Sequence, residues 1–130
     1  ENELKRKKIA FKNIGYLSDF KKLAYYYKAL DLYLITSRIE GGPKQILEAW
    51  ASGVPVVSTK VGMVPDISEH KKNILLAEIG DIETIVNNTE KIIRDEGLRR
   101  DIVKNGLLAV KNYSWENIAE RYYKEIYAKL

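Results

Sequence analysis

Glu40 and Glu48 flank the stretch Gly41-Gly42-Pro43-Lys44, one before a glycine turn and one inside the helix that the turn opens. An ionised carboxylate is a pure acceptor and can hold two hydroxyls. Each such charge-assisted hydrogen bond contributes about 1.5–3 kcal/mol. The paired glycines let backbone N–H groups approach a ligand with no Cβ in the way. An apolar strand feeding a glycine turn and a helix N-terminus is how α/β proteins hold phosphates. The combination suggests a site for a nucleotide sugar, with one carboxylate on the sugar and the other on the ribose diol. The helix end supplies about half a positive charge, favouring a diphosphate by roughly 0.3–2 kcal/mol, whereas catalysis needs about 8–23 kcal/mol of barrier lowering. A fixed cation is therefore required. Lys44 is the nearest candidate, Arg38 the second, and cations further upstream are a third source.

Each feature also has a purely structural account. Lys44 and Glu48 are spaced as an i,i+4 surface pair, in the less favoured order. The glycines suit a tight turn, and two glutamates at this separation are common in a chain with 31% charged residues. On the residues alone both accounts stay open.

The elements that must position these groups are legible from periodicity and punctuation. Lys8 to Ile14 reads as a short strand ending at Gly15, and Ser18 as the N-cap of a helix from Asp19 to about Leu30. Leu32 to Thr36 is an apolar run expected as a buried parallel strand. Pro43 suits the first turn of a helix that stops at Gly53 and turns Ile46, Leu47 and Trp50 inward. Pro55 to Thr59 predicts a second strand, Gly62 to Asp66 a turn, and Asn73 to Ala77 a third strand. Beyond Asp81 the period is helical. Ile82, Ile85, Val86, Ile92 and Ile93 mark one helix, broken at Gly97. Leu98 to Lys111 mark another, with Gly106 as a local weakness. Ser114 caps a last helix whose inner face is Ile118, Tyr122, Ile126 and Leu130, flanked by Ala119, Tyr123 and Tyr127.

This order predicts an α/β fold: a Rossmann-like parallel sheet with flanking helices and a helical C-terminus, one domain over residues 1–130. Doubly wound sheets usually open on a buried strand with its own glycine turn. Here a short strand follows a basic leader, so an upstream portion of the domain is expected to be missing.

Composition narrows the classes. The chain has 130 residues, 45% of them hydrophobic, which fits one packed domain. It has no cysteine, which excludes disulfides, thiol catalysis and cysteine-bound metals. No apolar run is long enough to cross a bilayer, and no secretory signal is visible. The net charge is +4, and the one dense cationic run, Lys5 to Lys8, reads as a solvated N-terminus with a peripheral contact to anionic lipid or polyphosphate as the alternative. No zinc-finger or RRM signature points to nucleic acid. The single histidine, His70, stands among Glu69, Lys71 and Lys72 in what reads as an exposed turn, without the positioned partner that a catalytic base needs. Tyr25, Tyr26 and Tyr27 point in different directions on a helix, so one is expected in the core and the others at its rim. Tyr122, Tyr123 and Tyr127 read most simply as packing, with some expected to be exposed.

Taken together, the residues resemble the donor-binding segment of the group 1 (family 4) glycosyltransferases, retaining enzymes of the GT-B fold. The likeness runs through Ala29 to Ser37, then Glu40 to Glu48, whose glutamates fall on the family's E-x7-E pair, then Ala49 to Thr59. Gly53-Val54-Pro55-Val56-Val57-Ser58 matches a G-x-P-V-V-[AS] strand. Val61-Gly62 with Asp66 is similar to the next turn, Glu69 to Leu76 with Gly80-Asp81 to the E-H-G-x-N-G-x-L and G-D pieces, and Tyr113-Ser114-Trp115-Glu116 to the start of the final helix. Departures are Gly42 where an aromatic is usual, Pro43 and Met63 where glycines are usual, and Lys71 and Ile74 near the third strand.

The resemblance implies an incomplete half of a GT-B C-terminal domain, lacking its N-terminal partner domain and the upstream phosphate-binding Arg and Lys. Such a piece is expected to be inactive alone. Glu40, the residue assigned to catalysis, would contact hydroxyls of the transferred hexose, and Glu48 the ribose. Backbone N–H groups near Gly41, Gly42 and Lys44 would face the sugar and diphosphate, and Gly15 and Tyr16 would lie near the base. No D-x-D triplet occurs, in keeping with donor binding without metal or other cofactor. The acceptor would be a glycan or lipid, and the location cytoplasmic, with peripheral contact at the inner membrane face. A nucleotide-sugar epimerase of the same fold and a non-catalytic interaction module are the alternatives.

Overall fold

The computed structural model describes residues 2–129. In chain order the elements are α1 (Asn2–Arg6), α2 (Phe20–Lys28), β1 (Tyr33–Ile35), α3 (Gln45–Ala51), β2 (Val56–Thr59), α4 (Val64–Ile67), β3 (Leu75–Ala77), α5 (Ile82–Arg94), α6 (Glu96–Val110) and α7 (Trp115–Glu125). The three strands are parallel and lie side by side in the order β1-β2-β3. Tyr33 pairs with Val56 and Ile35 with Ser58, while Val57 pairs with Leu75 and Thr59 with Ala77.

The branched side chains of Val56 and Val57 favour the extended backbone, and successive residues face opposite sides of the sheet. Val56 joins a core with Ile35, Ile46, Ala49, Trp50, Val64, Ile74 and Leu76. Val57 joins a second one with Leu75, Ile92 and Ile102. Thus α3 covers one face, and α5 with part of α6 covers the other. All of β2 and β3 is buried, as strands covered on both faces require. The buried Asn88 closes one polar gap by donating its amide to the Leu76 carbonyl at 3.1 Å.

Short polar side chains start the helices by accepting otherwise unpaired N–H groups. Asp81 Oδ1 accepts from Thr84 N, Asp95 Oδ1 from Leu98 N and Ser114 Oγ from Asn117 N. Asp19, rather than the expected Ser18, caps α2 by accepting from Lys21 N and Lys22 N. The expected break at Gly97 falls instead at Asp95, which ends α5 and caps α6, so Gly97 lies inside the first turn of α6. The stretch read as a turn at Gly62 to Asp66 tightens into the single-turn helix α4, with Pro65 in its first positions, where no N–H is missed.

Three expectations are corrected by packing. Lys8 to Ile14 forms no strand, because no described strand lies beside it to complete a ladder; Ile9, Phe11 and Ile14 stay exposed. β1 is an edge strand in the described sheet, so Leu34 remains 46% exposed where a fully buried strand was expected. α7 forms and is capped as expected, and Tyr122, Tyr123 and Tyr127 are exposed, as some of these tyrosines were expected to be; the correction is that its inner face packs on nothing among the described residues, since α7 buries none of its residues and Ile126 beyond it is exposed too. Its amphipathic stripe has no described element over it, and Leu130 lies outside the described residues. Among the described residues no helix is long and apolar enough to cross a membrane.

Gly106 is no weak point. A Cβ there would stand 2.7 Å from Trp50 Cδ1 and 3.0 Å from Cγ, so α6 comes down directly on the indole. Trp50 and Gly106 are both buried, and the helix–helix contact exists because one partner has no side chain. Overpacking a rigid site costs about 1–3 kcal/mol, against the roughly 1 kcal/mol that glycine-to-alanine returns in a helix interior. Gly106→Ala is therefore expected to lower stability by up to about 2 kcal/mol. A urea midpoint above that of wild type would contradict the contact.

Candidate functional site

The site lies where β1 and β2 end. The chain leaves β1 at Ile35, runs through Ser37, Arg38, Glu40, Gly41 and Gly42, and enters α3. This loop is laid onto the turn that follows β2. Thr59 Oγ1 donates to the Ser37 carbonyl at 2.7 Å. Met63 N donates to the Gly41 carbonyl at 3.2 Å. Gly62, at φ +52°, fits beneath: a Cβ there would lie 2.4 Å from the Glu40 carbonyl oxygen and 2.5 Å from that of Gly41. Both the positive φ and the contact demand glycine.

Gly42 and Met63 are complementary. A Cβ on Gly42 would stand 2.6 Å from Met63 Sδ. The two departures from the family pattern, a glycine where an aromatic is usual and a methionine where a glycine is usual, thus concern one space. Met63 fills it from the turn after β2.

Glu40 and Glu48 are each half-buried. Ser37 Oγ donates to Glu40 Oε1. Tyr27 Oη donates to Glu48 Oε2 at 2.8 Å. Among the described residues neither carboxylate has an ion pair within 4 Å. Tyr27 is 6% exposed, and its ring lies 5.5 Å from that of Tyr33 at a tilt of 57°. Burial, and then the hydrogen bond to Glu48, push the Tyr27 phenol far above its ordinary pKa. Burial raises Tyr33 as well, and the charges of Glu48 and Glu40 reinforce the rise.

The remaining candidates divide. Gly41 and Gly42 are exposed, and their N–H groups donate to no partner among the described residues. Pro43 is buried beneath the loop, and Lys44 is the N-cap of α3, exposed and without an ion pair among the described residues. α3 spans seven residues, so its dipole is a small contribution. Arg38 reaches toward Gly80 at the mouth of a cleft of about 100 Å³ lined by Thr36, Thr59, Gly80, Asp81, Ile82 and Ile85, at the carboxyl ends of the strands. Among the described residues no hydrogen bond joins Gly15 or Tyr16 to this group. Gly15 (φ +67°) donates to Asn13 Oδ1 at 2.9 Å in an exposed stretch, and Tyr16 is 94% exposed. Of the three consecutive tyrosines, Tyr27 enters the core and Tyr25 stays outside. Tyr27 and Ser37, the hydroxyl partners of the carboxylates, are not singled out by the sequence. Tyr27 is 21 positions from Glu48 on another helix, and no local spacing signals such a pair.

The family description "Glycosyl transferases group 1" matches residues 2–109, and the chain belongs to that family. O-antigen chain mannosyltransferase B of Escherichia coli is 33% identical over 104 residues, which is 80% of this chain and 26% of that protein. The C-terminal domain of the group 1 glycosyl transferase LpcC from Francisella tularensis superimposes with a TM-score of 0.78 at 30% identity, covering 88% of this chain and 60% of that one. HepE of Anabaena, solved in complex with UDP-glucose, superimposes at 0.82 with 24% identity, covering 98% of this chain and 35% of that one, and shows the shared fold. The sheet and its helices are part of the Rossmann-like C-terminal domain of the GT-B fold. The chain spans about a quarter to a third of the length of the curated relatives it matches.

His70 belongs to the scaffold. Its Nδ1 accepts from Leu76 N at 2.9 Å, which orders the turn before β3. Partial burial, followed by the charges of Lys71, Lys60 and Lys91, holds its pKa below the ordinary 6.5. The unfolded state therefore binds more protons below pH 6.5, and stability must fall as pH drops from there toward the folded-state pKa. Urea midpoints are expected to decline between about pH 7.5 and about 5.5, less steeply in His70→Gln. Identical slopes in the two proteins would show that His70 carries none of the effect.

Proposed function

We propose that this chain is the donor-binding part of a retaining glycosyltransferase that moves a hexose from a nucleoside-diphosphate sugar to a glycan or lipid acceptor. The observation that carries this is that Glu40 and Glu48 each accept from a neutral hydroxyl, of Ser37 and Tyr27, and neither is cancelled by a cation among the described residues. Carboxylates held in this way keep their charge and spare lone pairs, which suits them to sugar and ribose hydroxyls. Glu40, on the loop, takes the hydroxyls of the transferred sugar. Glu48, on α3, takes the ribose diol. The N–H groups of Gly41 and Gly42 face the sugar and diphosphate.

As the bond from the anomeric carbon to the diphosphate breaks, both electrons leave on the phosphate oxygen. Offsetting that charge is the main electrostatic task. Lys44 and Arg38 are the cations of this chain that can share in it, and we take the diphosphate to be held without a metal ion. The name of the Escherichia coli relative supports a hexose as the group moved. The fold shared with HepE, which holds UDP-glucose, is compatible with a nucleotide sugar at this rim.

Titration of UDP-, GDP- and ADP-sugars, and of the bare diphosphates, against wild type, Glu48→Ala and Glu40→Ala tests the assignment. Loss of charge-assisted bonds of about 1.5–3 kcal/mol weakens binding roughly 10- to 100-fold. Glu48→Ala is expected to weaken sugar and bare diphosphate alike, and Glu40→Ala only the sugar. Affinities untouched by both substitutions would remove the proposal.

A further inference from the structure

A glutamate on a surface helix has several accessible rotamers, and ordering such a side chain against a ligand has an entropic cost. Glu48 is not left free in this way. Tyr27 Oη, from α2, donates to its Oε2 at 2.8 Å. The donor itself is fixed: Tyr27 is buried on the core side of α2, its ring lies against Tyr33, and α2 packs on α3. Burial and the adjacent carboxylate keep the phenol protonated well beyond physiological pH, so it is a permanent donor. A phenol donates one proton. It therefore occupies one acceptor position on Oε2 and leaves Oε1 unoccupied among the described residues.

We propose that Tyr27 is a positioning residue for Glu48, holding the carboxylate in the rotamer that presents Oε1 to the ribose diol. The proposal rests on the assignment of Glu48 to the ribose and extends it to a residue on a different helix. Tyr27 touches no substrate. It acts by removing the freedom that Glu48 would otherwise lose on binding. Immobilising one such side chain weakens association by about 2- to 12-fold, so this is the loss expected when the hydroxyl is removed. The loss falls on the ribose-dependent part of the affinity alone. A tyrosine that merely fills the core, with Glu48 satisfying its O–H, would influence stability and leave ribose recognition untouched.

The experiment compares UDP, GDP and ADP with their 2′,3′-dideoxy counterparts, using this chain and reading the ratio of the two dissociation constants for whichever base binds. In wild type the ribose form is expected to bind at least about tenfold more tightly. In Glu48→Ala the ratio is expected to approach unity. In Tyr27→Phe, which keeps the ring, it is expected to fall about 2- to 12-fold with the dideoxy affinity unchanged. Side-chain scalar couplings of Glu48 give a second readout that needs no ligand: one rotamer in wild type, averaging in Tyr27→Phe. A wild-type ratio and a single Glu48 rotamer in Tyr27→Phe would overturn the role of Tyr27 while leaving Glu48 assigned. A ratio unchanged in Glu48→Ala would overturn the ribose assignment itself and the positioning role with it.

Discussion

Gly62 has no side chain, and the carbonyl oxygens of Glu40 and Gly41 occupy the place where one would stand. The loop that carries Glu40 has little room to lie elsewhere, because Thr59 and Met63 hold its Ser37 and Gly41 carbonyls from the same side. The height of Glu40 above the sheet is thus set by backbone-to-backbone contact, which yields less than a side-chain contact does. Met63 completes the arrangement by filling the room above Gly42. The second carboxylate is set differently, on a helix whose inward face is locked by Ile46, Ala49 and Trp50. Trp50 is in turn seated on the bare backbone of Gly106. Two close approaches, each dependent on a glycine, therefore fix the two acidic groups relative to one another.

The electrostatics follow from what holds each carboxylate. A buried ion pair would neutralise the charge and offer a ligand little, since breaking such a pair is costly. Neutral hydroxyl donors orient an oxygen and leave the charge in place. Ser37 does this for Glu40 and Tyr27 for Glu48. The phenols of Tyr27 and Tyr33 are correspondingly disinclined to ionise. The site gathers negative charge on protein groups beside exposed cations, Lys44 and Arg38, which stay unpaired among the described residues. A ligand with hydroxyls at one place and phosphates at another matches that division.

Much of this was legible in the sequence. The valines of β2, the proline and glycine bounding α3, and the apolar stripe at Ile46 and Trp50 all gave the right elements, because local propensity and burial agree there. The two glutamates could be singled out from their places beside the glycine turn. What stayed hidden depends on contacts between distant segments. Gly106 looks like a defect in a helix until Trp50 is placed against it. Tyr27 is one of three tyrosines in a row until α2 is laid on α3. Gly42 and Met63 appear as two unrelated departures until the loops cross. The failures have equally physical causes. Lys8 to Ile14 has strand-forming residues but no described neighbour to pair with, and the stripe on α7 is periodic but uncovered. Periodicity predicts that an element forms and says little about what it meets.

The most direct test of the shared pocket is a crystal structure of this chain with a nucleoside-diphosphate sugar. One ligand is expected to span the rim of the sheet, with ribose hydroxyls within hydrogen-bond distance of Glu48, sugar hydroxyls at Glu40, and the diphosphate against the N–H groups of Gly41 and Gly42. A ligand bound elsewhere, or one that touches only one of the two glutamates while the other faces solvent, would contradict it.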